Sequence, residues 1–176
     1  MDGSAQASER ARHAPGSGHR GRLFDEFQLG QVIVSQGRTV TETDVVAFAG
    51  LSGDFNPLHT DEEFARSSSF RRRIAHGLLV QSIASGLANQ TGVFEGTIVA
   101  VKAMSIDYRA PVYVGDTIRI ELEVAELDPD PSPRRGWVRL ESSVRKQDGE
   151  LVIAGSWLTV MHRKRPAGRR TRPLDS

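Results

Sequence analysis

The sequence of 176 residues contains no cysteine, so it offers no disulfide, no thiolate metal ligand and no cysteine nucleophile. This composition is typical of a protein in a reducing cytoplasm. No run of about eighteen apolar residues occurs, and the sequence therefore predicts no membrane-spanning helix. The first twenty residues contain no apolar stretch either, which argues against a secretory signal. We expect a cytoplasmic protein without membrane association.

Net charge is also small, at +1, but the charges are unevenly distributed. Residues 1–22 contain four arginines and two acidic residues, and residues 162–176 contain six basic residues and one acidic residue. The 139 residues between them therefore contain 13 basic and 19 acidic side chains, a balance of −6. We predict disordered basic tails at 1–22 and 163–176 around an acidic domain at 23–162. An acidic domain without interleaved basic and aromatic residues argues against nucleic-acid binding.

Hydrophobic patterning within this domain predicts a short strand, then helices, then four long strands. A run of apolar and small residues at 77–89 predicts a central, largely buried helix. At 117–124 apolar and other residues alternate, which indicates a strand with one covered face. Because long strands follow the helices, we predict an α+β fold in which an antiparallel sheet wraps around one helix. The predicted elements are a strand in 31–38, helices starting at Thr41 and Thr60, the helix at 77–89, and strands at 98–108, 117–124, 137–144 and 151–161.

The sequence at 52–59, SGDFNPLH, contains a carboxylate and a histidine around a predicted tight turn. On a continuous helix Asp54 and His59 would lie about 140° apart and would not meet. Gly53 and Pro57, however, favour a turn that brings the two side chains together. A carboxylate beside a histidine, which titrates near neutral pH, is a workable acid–base pair.

Two other interpretations of this segment stay open on spacing alone. Asp54 or Asn56 could simply cap a turn, with His59 an ordinary polar residue, because Asp and Asn are common in turns. A metal site could add Asp61 or His76 to the pair, but no spacing typical of metal ligands is present. We therefore predict no metal.

The same segment resembles the hydratase motif of the MaoC-like dehydratases, a family that includes the (R)-specific enoyl-CoA hydratases. The similarity continues through AHGLL at 75–79, Ser85-Gly86 and YRAPVYVGD at 108–116. It covers about 24–161, with its elements in the order typical of the family. The resemblance implies a hot-dog fold, in which a curved antiparallel sheet wraps around the long helix, and a homodimer.

The resemblance further implies an enzyme that adds water to trans-2-enoyl thioesters or removes it from 3-hydroxyacyl thioesters. Asp54 and His59 match the residues that hold and activate the water, and Gly77 matches the position whose backbone N–H binds the thioester carbonyl. A fixed donor at a helix N-terminus suits the negative charge that grows on this oxygen. The implied substrate is a coenzyme A or acyl-carrier-protein thioester, and no cofactor is needed. The identity of the base within the pair and the preferred acyl chain stay open.

Three further residues match supporting positions of the family. Asn56 matches a residue that shapes the turn, Ser85 matches one that supports the loop of the catalytic pair, and we expect His76 to lie behind the reacting groups. For Gly77 and Ser85 the alternative interpretation is close helix packing. The alternative function is a hot-dog domain that binds acyl thioesters without turnover, although such a domain has no chemical need for the acid–base pair.

A run of three arginines, Arg71, Arg72 and Arg73, precedes the predicted buried helix. A run of like charges usually forms a solvated face, and we favour that interpretation. The alternative is that these guanidinium groups bind the phosphates of coenzyme A or the acidic surface of a carrier protein, because the planar guanidinium suits phosphate geometry.

Overall fold

The structure, a computed structural model, describes residues 21–129 and 133–164. Within these residues the chain forms a 3₁₀ turn, four α-helices and six strands. In chain order they are the turn Phe24–Glu26, β1 (Val32–Val34), β2 (Arg38–Thr39), α1 (Glu42–Ser52), α2 (Pro57–Thr60), α3 (Glu62–Ser67), α4 (Gly77–Gln90), β3 (Ile98–Tyr108), β4 (Thr117–Asp128), β5 (Arg135–Lys146) and β6 (Leu151–His162).

The strands form one antiparallel sheet in the order β1-β4-β5-β6-β3, with β2 also paired to β4. The strand expected at 117–124 continues through a bulge after Val124 and ends at Asp128. The single strand expected within 31–38 is instead two short strands, which pair with different parts of β4. In the described part of the chain, β3 is an edge strand of eleven residues.

Helix α4 lies against one face of this sheet. Its buried side chains, among them Leu79, Ile83 and Leu87, recur at helical spacing and share one core with apolar residues of β4 and β5. The helix is buried on one side rather than all round, because Leu78 on the opposite side is 60% exposed. An antiparallel sheet around a long helix is the predicted α+β hot-dog fold.

The second helical region begins earlier than predicted. The side chain of Asn56 accepts a hydrogen bond from the backbone N–H two residues on, and Pro57 is the first residue of α2. Helix α3 then begins after Asp61, whose carboxylate accepts a hydrogen bond from the N–H three residues on. The helix start predicted at Thr60 was wrong, because the turn that starts at Asn56 already includes Thr60 and Asp61 caps the next helix.

The domain includes residues at both ends that the sequence assigned to the tails. Gly21 and Arg22 donate backbone hydrogen bonds to the segment that precedes β3. Arg163 forms a 2.7 Å ion pair with Asp25, and Lys164 pairs with Glu26. The remaining residues of the two predicted tails lie outside the described part of the chain. No helix among the described residues is both long and apolar enough to cross a membrane.

Candidate active site

A cleft of about 660 Å³ opens between the α1–α2 turn, the N-terminus of α4 and the end of β3. Four of the residues predicted from the sequence lie in its wall: Asp54, His59, His76 and Gly77. Much of the remaining wall consists of apolar side chains from α1, α4 and β6. The cleft therefore combines polar groups at one place with an apolar surface beside them, as is typical of ligand sites.

Local sequence explains the turn that carries Asp54 and His59. Gly53 ends α1 in a left-handed conformation, with φ at 76°, which a side chain would disfavour. Asn56 then caps α2, and Pro57 follows with the fixed φ that suits a first helical residue. The tight turn expected from the sequence is present, and Asn56 shapes it as the cap.

This turn brings Asp54 and His59 together, with a carboxylate oxygen and an imidazole nitrogen within 4.8 Å of each other. His59 Nδ1 lies 2.8 Å from the carbonyl oxygen of Ile74. Because a carbonyl only accepts hydrogen bonds, Nδ1 carries the proton, which leaves Nε2 as the unprotonated nitrogen of the neutral ring. Nε2 can therefore accept a proton, as a general base must.

His76 holds the same turn from behind. Its side chain is 2% exposed, its Nε2 donates to the carbonyl oxygen of Asp54 at 2.9 Å, and its ring stacks on the His59 ring with centroids 3.8 Å apart. Its Nδ1 is buried without a hydrogen-bond partner among the described residues. His76 is thus placed to position Asp54 and His59 rather than to meet a substrate.

Asp54, His59 and His76 are also the group that could most readily hold a metal ion, since one ligand atom of each lies within 4.8 Å of the others. The two rings are tilted, with an interplanar angle of 31°. The absence of a metal stays a prediction.

Gly77 is the first residue of α4, where a helix has no preceding turn to accept its N–H. A Cβ built on Gly77 would lie 2.5 Å from Cε1 of Tyr108, so the ring leaves no space for a side chain there. Tyr108 ends β3 and lies in the wall of the cleft, although the sequence did not single it out. In the sequence, Tyr108 was marked only as the first residue of the 108–116 motif.

The structure does not bring Ser85 to the acid–base pair. Ser85 is exposed and lies eight residues beyond Gly77 on α4, which corresponds to about 12 Å along the helix axis. It is not among the described residues that line the cleft. Within one copy of the chain, no contact therefore supports the predicted role of Ser85 in holding the loop of Asp54 and His59.

Arg73 is bound within the domain and is not available to a phosphate as proposed. Its guanidinium makes two 2.8 Å hydrogen bonds to Glu42 at the start of α1 and one of 3.1 Å to Glu62 at the start of α3. It also donates to the backbone carbonyl of His59 at 3.5 Å. Hydrogen bonding to Glu42 raises the pKa of Arg73, and the same contact lowers the pKa of the Glu42 carboxyl.

The other two arginines face outward near the cleft. Arg71 is exposed and has a left-handed backbone, with φ at 62°, which is uncommon for a residue other than glycine. The guanidinium carbon of Arg72 lies 4.8 Å from the centroid of the Tyr113 ring. This cation–π contact holds one face of the guanidinium and leaves its edge able to donate hydrogen bonds.

Comparison with known proteins identifies the family. The model of the MaoC like domain matches residues 26–140, well over half of the chain. The chain belongs to the MaoC-like family. That match includes the turn of Asp54 and His59, the start of α4 and the 108–116 motif, so the MaoC-like resemblance seen in the sequence is confirmed.

Characterised members of the MaoC-like family are similar over most of the domain. The chain is 39% identical over 112 residues to the (R)-specific enoyl-CoA hydratase of Aeromonas caviae, covering 64% of this chain and 79% of that protein. It is 32% identical over 144 residues to the 3-hydroxybutyryl-CoA dehydratase of Methylorubrum extorquens, covering 82% of this chain and 87% of that protein. The similarity to the mitochondrial 3-hydroxyacyl-acyl-carrier-protein dehydratase of Arabidopsis thaliana is 36% over 121 residues, or 69% of each.

A solved structure supports the same assignment. The (R)-hydratase from A. caviae superposes with a TM-score of 0.65 at 34% identity, covering 76% of this MaoC-like chain and 96% of the other. The predicted hot-dog fold is therefore confirmed, and the relatives confirm the prediction of an enzyme of the hydratase and dehydratase class.

The Arg73 contacts generate a stability prediction. Replacing Arg73→Met should lower the free energy of unfolding by about 1 kcal/mol at neutral pH, because two half-exposed carboxylates lose their shared cation. The lowered pKa of Glu42 means that this stabilisation is present above the ordinary carboxyl range and is lost as pH falls through the lowered value. Urea unfolding should therefore show a smaller difference from wild type at acid pH.

Arg66→Met is the matched control for this measurement. Arg66 pairs with the same α3 helix, at Glu62 and Glu63, but is 61% exposed, so its loss should change stability by less than about 0.5 kcal/mol. Equal effects of the two substitutions would show that Arg73 acts only as a surface cation.

Proposed function

We propose that this protein interconverts trans-2-enoyl thioesters and (R)-3-hydroxyacyl thioesters by adding or removing water. The observation that carries the proposal is the pairing of the Asp54 carboxylate with His59, whose Nδ1 is fixed on a carbonyl, inside a largely apolar cleft. The names of the relatives support this proposal, because they include both hydratases and dehydratases of such thioesters.

In the hydration direction, a water molecule lies between the two side chains. His59 Nε2 takes one proton from the water, and the Asp54 carboxylate, which only accepts hydrogen bonds, orients the other hydrogen. The oxygen bonds to the β carbon as the double bond gives its electrons to the thioester. The proton held by the pair then passes to the α carbon, so one water is added and the pair returns to its initial state.

The intermediate of this reaction carries negative charge on the thioester oxygen. The N–H of Gly77 begins α4, a helix of fourteen residues, and the partial positive charge of a helix N-terminus favours an anion there. Because Gly77 has no side chain, the oxygen can approach the backbone closely. Fixed donors of this kind need no reorganisation when the charge develops, which is how they lower the barrier.

The substrate carrier would be a phosphopantetheine thioester. Relatives named for coenzyme A substrates and for an acyl-carrier-protein substrate both match the chain, and the two carriers share this arm. Arg71 and Arg72, unlike Arg73, remain able to bind a phosphate near the cleft. The apolar wall beside the acid–base pair would hold the acyl chain.

We also propose that the protein is a homodimer that pairs along β3. This edge strand exposes Val101 and Met104, and the adjacent side of α4 exposes Leu78. A long edge strand with exposed apolar side chains is a template for pairing with another strand, and soluble proteins usually cover such edges. A second copy of the same strand would cover it by an antiparallel, self-complementary contact.

The reaction is tested by the loss of enoyl absorbance when the pure protein is mixed with crotonyl-CoA. We expect Asp54→Asn and His59→Ala each to lower kcat by about 10²–10⁴, the usual contribution of an acid–base group. Asp148→Asn, in the β5–β6 hairpin, and His162→Ala, at the end of β6, are matched controls and should keep wild-type activity. EDTA should not reduce the wild-type rate.

Two results would contradict this proposal. A wild-type protein that fails to hydrate short, long and branched enoyl-CoAs, yet still binds them, would be a non-catalytic acyl-thioester-binding domain. Full activity in both variants would show that neither Asp54 nor His59 takes part in the reaction.

Charge reversal tests the phosphate contact. The double variant Arg71→Glu/Arg72→Glu should raise KM for crotonyl-CoA by about three- to tenfold without changing kcat, since exposed ionic contacts contribute modestly. Crotonyl-pantetheine lacks the nucleotide phosphates, so its KM should not change. An unchanged KM for crotonyl-CoA would show that Arg71 and Arg72 form only a solvated face.

Sedimentation equilibrium tests the dimer. Val101→Lys places a charge on the β3 edge of both copies and should shift the protein to monomer, because like charges would face each other across the interface. Val46→Lys is the control, since Val46 is 57% exposed on α1, away from β3. A Val101→Lys protein with the wild-type molecular mass would place the interface elsewhere or show that none forms.

A further inference from the structure

We propose that the hydroxyl of Tyr108 is a second hydrogen-bond donor to the thioester carbonyl, beside the N–H of Gly77. This inference rests on the proposed hydratase function and adds a residue to its chemistry. In β3 Tyr108 lies opposite Ile153 of β6, and both residues line the cleft. The strand thus delivers the Tyr108 side chain to the place where α4 begins.

The hydroxyl end of the Tyr108 ring is the part that lies over Gly77. A Cβ on Gly77 would be 2.5 Å from Cε1 and 2.8 Å from Cζ, but 3.1 Å from Cδ1, which is nearer the backbone of Tyr108. Cζ carries the hydroxyl, so the O–H is one bond from a ring atom that a Cβ on Gly77 would contact. The Gly77 N–H and the Tyr108 O–H therefore lie at the same end of the cleft.

The hydroxyl is also available for a ligand. Tyr108 is 51% exposed, and its O–H makes no hydrogen bond to any residue that the structure describes. Tyr113, the other tyrosine of the chain, instead directs its O–H to the carbonyl oxygen of Phe70 at 3.4 Å. An uncommitted O–H at a cleft wall is placed to donate to a ligand.

Two features of this arrangement favour glycine at position 77. A side chain there would block the approach of the substrate oxygen to the N–H, and it would also displace the Tyr108 ring. Packing alone would be satisfied by phenylalanine, which has the same ring. The hydroxyl is therefore the one group at this position that packing does not explain. In the reaction it keeps its proton and shares it with the enolate oxygen.

Tyr108→Phe isolates that hydroxyl, because it removes a single exposed oxygen and retains the ring against Gly77. We expect kcat for crotonyl-CoA hydration to fall about ten- to a hundredfold with little change in KM. Deleting a single oxyanion donor typically costs about 10²–10³, and entry of water at this half-exposed site would replace part of the loss. Tyr113→Phe, the same deletion elsewhere, should keep the wild-type kcat.

A spectroscopic measurement tests the contact without turnover. Raman difference spectra of bound crotonyl-CoA should show the thioester carbonyl stretch at higher frequency in Tyr108→Phe than in wild type, because the carbonyl loses a donor. If wild type and Tyr108→Phe show the same carbonyl frequency, the proposal is overturned, whether or not the protein is a hydratase. A raised KM at unchanged kcat would also overturn it, since it would place the hydroxyl on the pantetheine arm.

Discussion

The geometry of the site depends on five consecutive residues, the segment 73–77, which follows α3 and ends on the first residue of α4. Ile74 donates its backbone N–H to the Leu58 carbonyl and accepts the Nδ1 proton of His59. Ala75 donates to Val112 at 2.7 Å, which ties the segment to the chain that follows β3. This short segment therefore fixes the orientation of the His59 ring and attaches the turn of Asp54 and His59 to the sheet.

Each of the other residues of this segment also has a structural role. Arg73 joins the starts of α1 and α3, His76 holds the Asp54 carbonyl, and Gly77 opens α4. These adjacent positions therefore tie the turn of Asp54 and His59 to the N-terminus of α4. Preorganisation of this kind is what distinguishes donors that lower a barrier from donors that must first be ordered. It also explains why Arg73, the last arginine of the run, serves structure, whereas Arg71 and Arg72 face outward.

Local signals in the sequence predicted most of the elements and the turn that carries Asp54 and His59. The strand alternation and the apolar run at 77–89 predicted β4 and α4 closely, and Gly53 with Pro57 predicted the turn, because each signal acts within a few residues. Contacts between distant parts of the chain were not predictable from those signals. Glu42 is 31 residues from Arg73, and nothing in either local sequence marks the pair. Ser85 lies on an exposed side of α4, which is set by how the helix packs on the sheet, and its role stays a prediction.

His76 links the placement of Asp54 and His59. Its buried imidazole holds the Asp54 carbonyl with one nitrogen, and its ring lies against the His59 ring. Burying a polar side chain costs free energy unless it is hydrogen-bonded, and His76 makes such a bond to the turn itself. An apolar residue at this position would leave the Asp54 carbonyl without this donor. The histidine therefore serves the geometry of the turn rather than the packing of the core.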